Sequence, residues 1–74
     1  MKTYFWDFFG PDAEPRARHF MKHLDEFLVQ NTLNGCTTGV SSDSENHYAA
    51  FCRAPPELES SLERALAPKR FSED

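Results

Sequence analysis

The chain has 74 residues, a formal net charge of −4 and a pI near 5.2. An acidic balance argues against broad binding to phosphate backbones, which requires clustered Lys and Arg, so nucleic acid is not an expected partner. A chain this short buries only roughly 60% of its unfolded surface, so we expect one small domain over residues 1–74, with self-association as a way to add buried area.

An aromatic run near the start is the most distinctive local feature, because residues 4–9 read Tyr-Phe-Trp-Asp-Phe-Phe. Aromatic side chains fit a pleated surface, so residues 2–9 are predicted to form a strand. Large apolar groups that point both ways along one strand need cover on both faces, or they leave one face for a partner.

Helical spacing of apolar residues follows the first strand. Asp12 is placed to cap a helix that is predicted to run to about Gln30, and Gly35 marks the turn out of it. The remaining predicted elements are a strand at 36–41, a polar loop at 42–45, a strand at 47–53, a second helix that ends before Pro68, a short edge strand from residue 69, and a flexible tail at 72–74.

The predicted order β-α-β-β-α-β is that of an α+β, ferredoxin-like two-layer sandwich. Right-handed crossovers would place both helices on one face of an antiparallel sheet, with the first and third strands as its central pair. This is a resemblance to an architecture, and an architecture does not determine function.

Alternation along the strands predicts which side chains face the helices. In the first strand these are Tyr4, Trp6 and Phe8, while Thr3, Phe5, Asp7 and Phe9 face outward, since Asp7 is charged. With a hairpin loop at 43–45, the pairs Val40–Tyr48, Thr38–Ala50 and Cys36–Cys52 are expected opposite one another on the helix side.

The outward side chains of the third strand would be His47, Ala49, Phe51 and Arg53. Together the two strands predict an interaction surface formed by Phe5, Asp7, Phe9, Phe51 and Arg53, since apolar patches with polar rims often mark binding sites. The partner would be a protein or a second copy of the chain. Two alternatives stay open: loops or the C-terminal segment cover these rings, or a one-residue slip exchanges the two faces.

Weak candidates for metal binding are two histidines and two cysteines. His19 and His23 stand at i, i+4 on the first helix, but a protein site usually has three or four ligands, so we expect solvated side chains. Cys36 and Cys52 could form a disulfide or share a metal with His47. Two thiols without a secretion signal are more simply reduced core residues, and no cofactor is expected.

We recognise no catalytic constellation, and the chain is not expected to be an enzyme. Serines at 41, 42 and 44 near His47 are typical of a turn, and the three glycines are too scattered for a phosphate-binding loop. RNA-recognition domains stack bases on strands one and three, where Phe5 and Phe51 lie, but the third strand lacks their Lys/Arg-Gly-aromatic signature.

No apolar run approaches the ~20 residues that span a bilayer, and the start of the chain does not resemble a signal peptide, so we expect a cytoplasmic protein without a membrane partner. The sequence leaves three functions open. The first is a small interaction module. The alternatives are a metal- or ligand-binding domain and an acidic regulator or inhibitor of a nucleic-acid enzyme.

Overall fold

A computed structural model describes residues 1–73 of the chain. Its elements are β1 (Lys2–Phe9), α1 (Ala13–Gln30), β2 (Thr37–Ser44), β3 (His47–Ala54), a short 3-10 turn (Pro56–Leu58), α2 (Glu59–Leu66) and β4 (Arg70–Glu73). None of the described helices has the length and apolar character needed to cross a membrane.

The four strands form one sheet in the order β2-β3-β1-β4, and all three neighbouring pairs are antiparallel. This confirms an α+β fold with an antiparallel sheet, two helices and β1 and β3 as the central pair. The strand order is roughly consistent with the ferredoxin-like arrangement expected from the sequence.

The core lies between the two helices and one face of the sheet. Tyr4 and Trp6 are buried there, as predicted, beside Leu24 of α1 and Leu62 of α2. Small residues of β3 stand opposite the two large rings, Ala50 opposite Trp6 and Cys52 opposite Tyr4. Because large and small side chains alternate across the strand pair, the helices can pack closely over both rings.

Trp6 connects the sheet to both helices. Its ring lies 5.0 Å from the ring of Phe20 in α1, measured between centroids. Its Nε1–H donates a 3.0 Å hydrogen bond to the carbonyl oxygen of Leu66 at the end of α2. This bond satisfies one of the carbonyls that a helix end leaves without a partner inside the helix.

The β2–β3 hairpin differs from the prediction. β2 extends to Ser44, so most of the predicted loop at 42–45 is strand. Thr38 stands opposite Cys52 and Val40 opposite Ala50, which is two residues away from the predicted pairing, and Cys36 lies before the strand. An irregularity in register between Ser42 and Ser44 accommodates the longer strand. Since the side-chain period is two, an even shift leaves the side chains of this hairpin on their predicted faces.

Ser72 and Glu73, which the sequence assigns to a flexible tail at 72–74, are part of the sheet. Ser72 and Glu73 belong to β4 and pair with Thr3 and Lys2. The Lys2 ammonium lies 3.6 Å from the Glu73 carboxylate and 4.5 Å from the centroid of the Phe71 ring. These contacts give the end of the chain a partner on β1. Residue 74 lies outside the described residues.

Candidate functional site: the outer sheet face

The sheet face opposite the helices, which we call the outer face, has no described helix packed on it. Its residues are Thr3, Phe5, Asp7 and Phe9 of β1, Thr37, Gly39 and Ser41 of β2, His47, Ala49, Phe51 and Arg53 of β3, and Arg70 and Ser72 of β4. The five residues predicted as a surface, Phe5, Asp7, Phe9, Phe51 and Arg53, therefore share one face.

Three phenylalanine rings dominate this face. Phe5 and Phe51 stand opposite each other on the central strands, with ring centroids 6.4 Å apart, and both are half-buried. Phe9 is 68% exposed and stacks on the imidazole of His47, with centroids 4.6 Å apart and planes 10° from parallel. The rings are thus held in place by neighbours on the same face, and Phe9 is the one of the three that is largely exposed.

Gly39 provides the space for Phe51. A Cβ atom added at residue 39 would lie 2.6 Å from Cζ and 2.8 Å from Cε2 of the Phe51 ring, closer than such contacts occur. The ring therefore lies across the backbone of β2, in a position that any side chain at residue 39 would block. Glycine in a strand interior often marks such a close approach.

Four charged side chains form a second feature, which we call the charged cluster: Asp7, Asp43, His47 and Arg70. Arg70 donates to both oxygens of Asp7, from Nε to Oδ2 and from Nη2 to Oδ1, each at 2.9 Å. His47 Nε2 lies 2.8 Å from Asp7 Oδ1, and His47 Nδ1 lies 2.5 Å from Asp43 Oδ1. Each of the four strands contributes one member, so the cluster spans the width of the sheet.

The members of the cluster shift one another's ionisation. The hydrogen bond from Arg70 is the main cause that lowers the pKa of Asp7, and Asp7 in turn raises the pKa of Arg70. Hydrogen bonds to Asp43 and then Asp7 raise the pKa of His47. All three shifts favour the charged forms of these groups.

This arrangement restricts the chemistry that His47 can perform. With a carboxylate at each ring nitrogen, the imidazolium form donates from both Nδ1 and Nε2 and has no lone pair to accept a proton. Ser41 lines the same shallow depression, of about 290 Å³, together with Phe5, Ser42, Asp43, His47 and Arg70. A serine next to a doubly engaged histidine is not activated, since nucleophilic catalysis needs a free general base.

The structure does not bring together Cys36, Cys52 and His47, the set considered for a shared metal ion. Cys52 faces the helices and His47 lies on the outer face, because even and odd residues of β3 point to opposite sides of the sheet. Both cysteines are free thiols, and burial raises the pKa of Cys36 and raises that of Cys52 to about 12. A thiol held in its protonated form is a poor nucleophile and a poor ligand.

The two helix histidines, by contrast, meet. His19 and His23 are exposed on α1, and their Nε2 atoms are 3.0 Å apart. Within residues 1–73 no cluster of three or more His, Cys, Asp or Glu side chains suits a metal ion.

Asp43 and Arg70 are the members of the site that sequence reasoning missed. The sequence pattern places Asp43 in a polar loop and does not specify the register of the last strand. One signal was available, since a carboxylate in the middle of an aromatic strand, such as Asp7, needs a cationic partner when it is half-buried. Several Lys and Arg residues could have met that need, and only the pairing of β4 with β1 selects Arg70.

No protein-family model matches this chain, and no significant match was found among curated proteins or solved structures. The outer face is consequently described by its own geometry alone. Its main features are three half-buried or exposed aromatic rings, a hydrogen-bonded charged cluster and the lack of any described helix packed against it.

Proposed function

We propose that the protein is a small interaction module of ferredoxin-like architecture that associates with a second copy of itself through the outer face. One observation carries this proposal: Phe5, Phe9 and Phe51 share a sheet face on which no described helix packs. Aromatic side chains and Arg are enriched at the centre of protein interfaces, and this face has both.

The charged cluster supports binding rather than chemistry. Burying an unpaired charge at an interface is costly, whereas Asp7, His47 and Arg70 already satisfy one another within the protein. A partner can therefore cover the cluster without supplying new counter-charges. The Arg70 guanidinium also lies 4.2 Å from the centroid of the Phe5 ring, so the charged and aromatic parts form one continuous surface.

A second copy is a suitable partner because Arg53 and the largely exposed Asp43 carboxylate lie towards opposite ends of the face. Arg53 lies towards one end of β3, and His47, with Asp43 beside it, lies at the other end. A two-fold axis lying across the strands would bring Arg53 of each copy towards Asp43 of the other. Interfaces with two-fold symmetry are built from one surface that complements itself in this way.

The size of the face limits the strength of such a dimer. Three strands of eight residues and one of four, about 4.8 Å apart with about 3.3 Å per residue, give a flat area of roughly 440 Å² per copy. Stable complexes bury about 800 Å² per partner. We therefore expect a weak dimer that forms at high protein concentration and dissociates on dilution.

Sedimentation velocity over a wide concentration range tests the proposal. The wild-type sedimentation coefficient should rise with concentration, and Phe9→Ser should reduce that rise. Phe71→Ser is the matched control, because Phe71 is similarly exposed, at 58% against 68% for Phe9, but lies on the helix side of β4. Circular dichroism should show that both variants keep the wild-type fold.

Two outcomes would contradict the proposal. A wild-type protein that sediments as a monomer at every concentration removes self-association. An equal loss of association in Phe71→Ser would place the contact elsewhere, since only Phe9 of these two rings belongs to the outer face.

A further inference from the structure

Two histidine side chains converge on the solvent side of α1. The Nε2 atoms of His19 and His23 are 3.0 Å apart, and their rings meet edge to face at 82° with centroids 4.5 Å apart. The rings border a surface hollow of about 260 Å³, which Phe8, Arg16 and Phe20 also line. In the metal-free protein the two nitrogens are at hydrogen-bond distance, so one Nε2 donates to the other, and a shared metal ion would replace that proton.

Glu26 favours the tautomer of His23 that can bind a cation through Nε2. Its Oε1 atom lies 3.3 Å from Nδ1 of His23, which favours the tautomer with its proton on Nδ1 and a lone pair on Nε2, the atom that then accepts from His19. Histidines that bind metal ions commonly have a carboxylate at the other ring nitrogen, which sets the tautomer and the orientation of the ring.

The separation of the two nitrogens discriminates between metal geometries. With metal–nitrogen bonds of about 2.05 Å, two ligands are about 2.9 Å apart at a right angle and about 3.35 Å apart at the tetrahedral angle. The observed 3.0 Å is closer to the right angle. Adjacent positions in octahedral or square-planar coordination have this angle, and Ni²⁺ and Cu²⁺ prefer such coordination, whereas Zn²⁺ prefers a tetrahedron.

We propose that His19 and His23 form a two-nitrogen chelate for Ni²⁺ or Cu²⁺, with water in the remaining coordination positions. No third His, Cys, Asp or Glu within residues 1–73 completes the set, so the complex has an open coordination sphere. Arg16 borders the same hollow, and its positive charge opposes the metal ion, which makes the affinity moderate. His47 does not compete, because carboxylates engage both of its nitrogens.

Isothermal titration of the full chain with Ni²⁺ tests the proposal, and Ni²⁺ is used because it does not oxidise free thiols. His19→Gln and His23→Gln should each weaken binding at least about tenfold, because the loss of one ligand should cost no less than the 10–100-fold typical of losing a supporting group. Both side chains are exposed, so circular dichroism should show unchanged folding.

Two further variants separate the chelate from general electrostatics. Lys22→Gln alters an exposed residue of the same helix that is not a ligand, and it should keep Ni²⁺ binding. Glu26→Gln should weaken binding less than either histidine variant, since Glu26 supports His23 without touching the metal. Zn²⁺ should bind more weakly than Ni²⁺ to the wild-type chain.

Three results would overturn the assignment. If the wild-type protein binds no Ni²⁺, the two histidines do not form a chelate. Binding that survives unchanged in both histidine variants belongs to another site. Zn²⁺ that binds more tightly than Ni²⁺ would contradict the right-angle geometry.

Discussion

The contact between Phe51 and Gly39 leads to a sharp prediction about the outer face. Gly39→Ala places a Cβ atom 2.6 Å from Cζ of Phe51, so the ring has to move by about 1 Å to regain an ordinary contact distance. The substitution should therefore lower the free energy of unfolding, although alanine is normally the better residue in a strand.

Two opposing contributions determine the size of the effect. Overpacking costs about 1–3 kcal/mol, and the cost should lie in the lower half of that range because the half-buried ring can swing towards solvent. Replacing glycine by alanine in a strand contributes about 0.5–1 kcal/mol of stability through the backbone. We expect a net loss of about 1 kcal/mol, which corresponds to a fall in Tm of about 4–8 °C for a domain of this size.

A double-mutant cycle measured by urea unfolding isolates the contact. In a Phe51→Ala background the clash is absent, so Gly39→Ala should stabilise the protein by about 0.5–1 kcal/mol. The control background is Phe5→Ala, because Phe5 lies on the same face but is not among the atoms nearest to the added Cβ. There, Gly39→Ala should remain destabilising.

The comparison of Gly39→Ala with and without the Phe51 ring tests whether that ring blocks residue 39. If Gly39→Ala changes stability by the same amount with and without the Phe51 ring, the ring does not occupy the space above residue 39. The measurements belong at low protein concentration, where self-association through the same face does not contribute.

The remaining predictions concern the charged cluster, the core and two strained backbone positions. Carboxylate neighbours raise the pKa of His47 in the folded state. The contribution of His47 to stability is therefore complete below its unfolded-state pKa of about 6.5, and it is lost as the pH rises through the higher folded-state pKa. In urea unfolding above neutral pH, the free energy of unfolding of the wild-type protein should therefore fall as the pH rises, and that of His47→Gln should fall less. Equal slopes for the two proteins would show that protonation of His47 does not contribute to stability. Trp6→Phe removes the hydrogen bond to α2 and should lower stability by about 1–2 kcal/mol, and an unchanged Tm would mean that the bond contributes nothing net. Thr32 and Ala67 adopt left-handed backbone angles, with φ of 55° and 45°. Replacing either residue by Gly should therefore stabilise the protein by about 1 kcal/mol. A loss of stability would show that the contacts of the side chain outweigh the backbone strain.

Local pattern alone was sufficient for the two longest features of the N-terminal half. The aromatic run predicted β1 with its observed bounds, and apolar spacing predicted α1 to its observed end at Gln30. The same alternation placed Tyr4 and Trp6 in the core and Phe5 and Phe9 outward. These features depend on the two-residue period of a strand and the 3.6-residue period of a helix, and both periods can be read from neighbouring residues.

The tertiary structure decided the details that connect distant segments. The pairing of β2 with β3 differs by two residues from the sequence prediction, because the hairpin depends on an irregularity near Ser44 that no local pattern signals. Arg70 reaches Asp7 because β4 pairs with β1 in one register, and Asp43 lies beside His47 in a hairpin whose strand β2 extends into the predicted loop. Side-chain periodicity thus determined which residues face outward, whereas the long-range strand registers determined which of them touch.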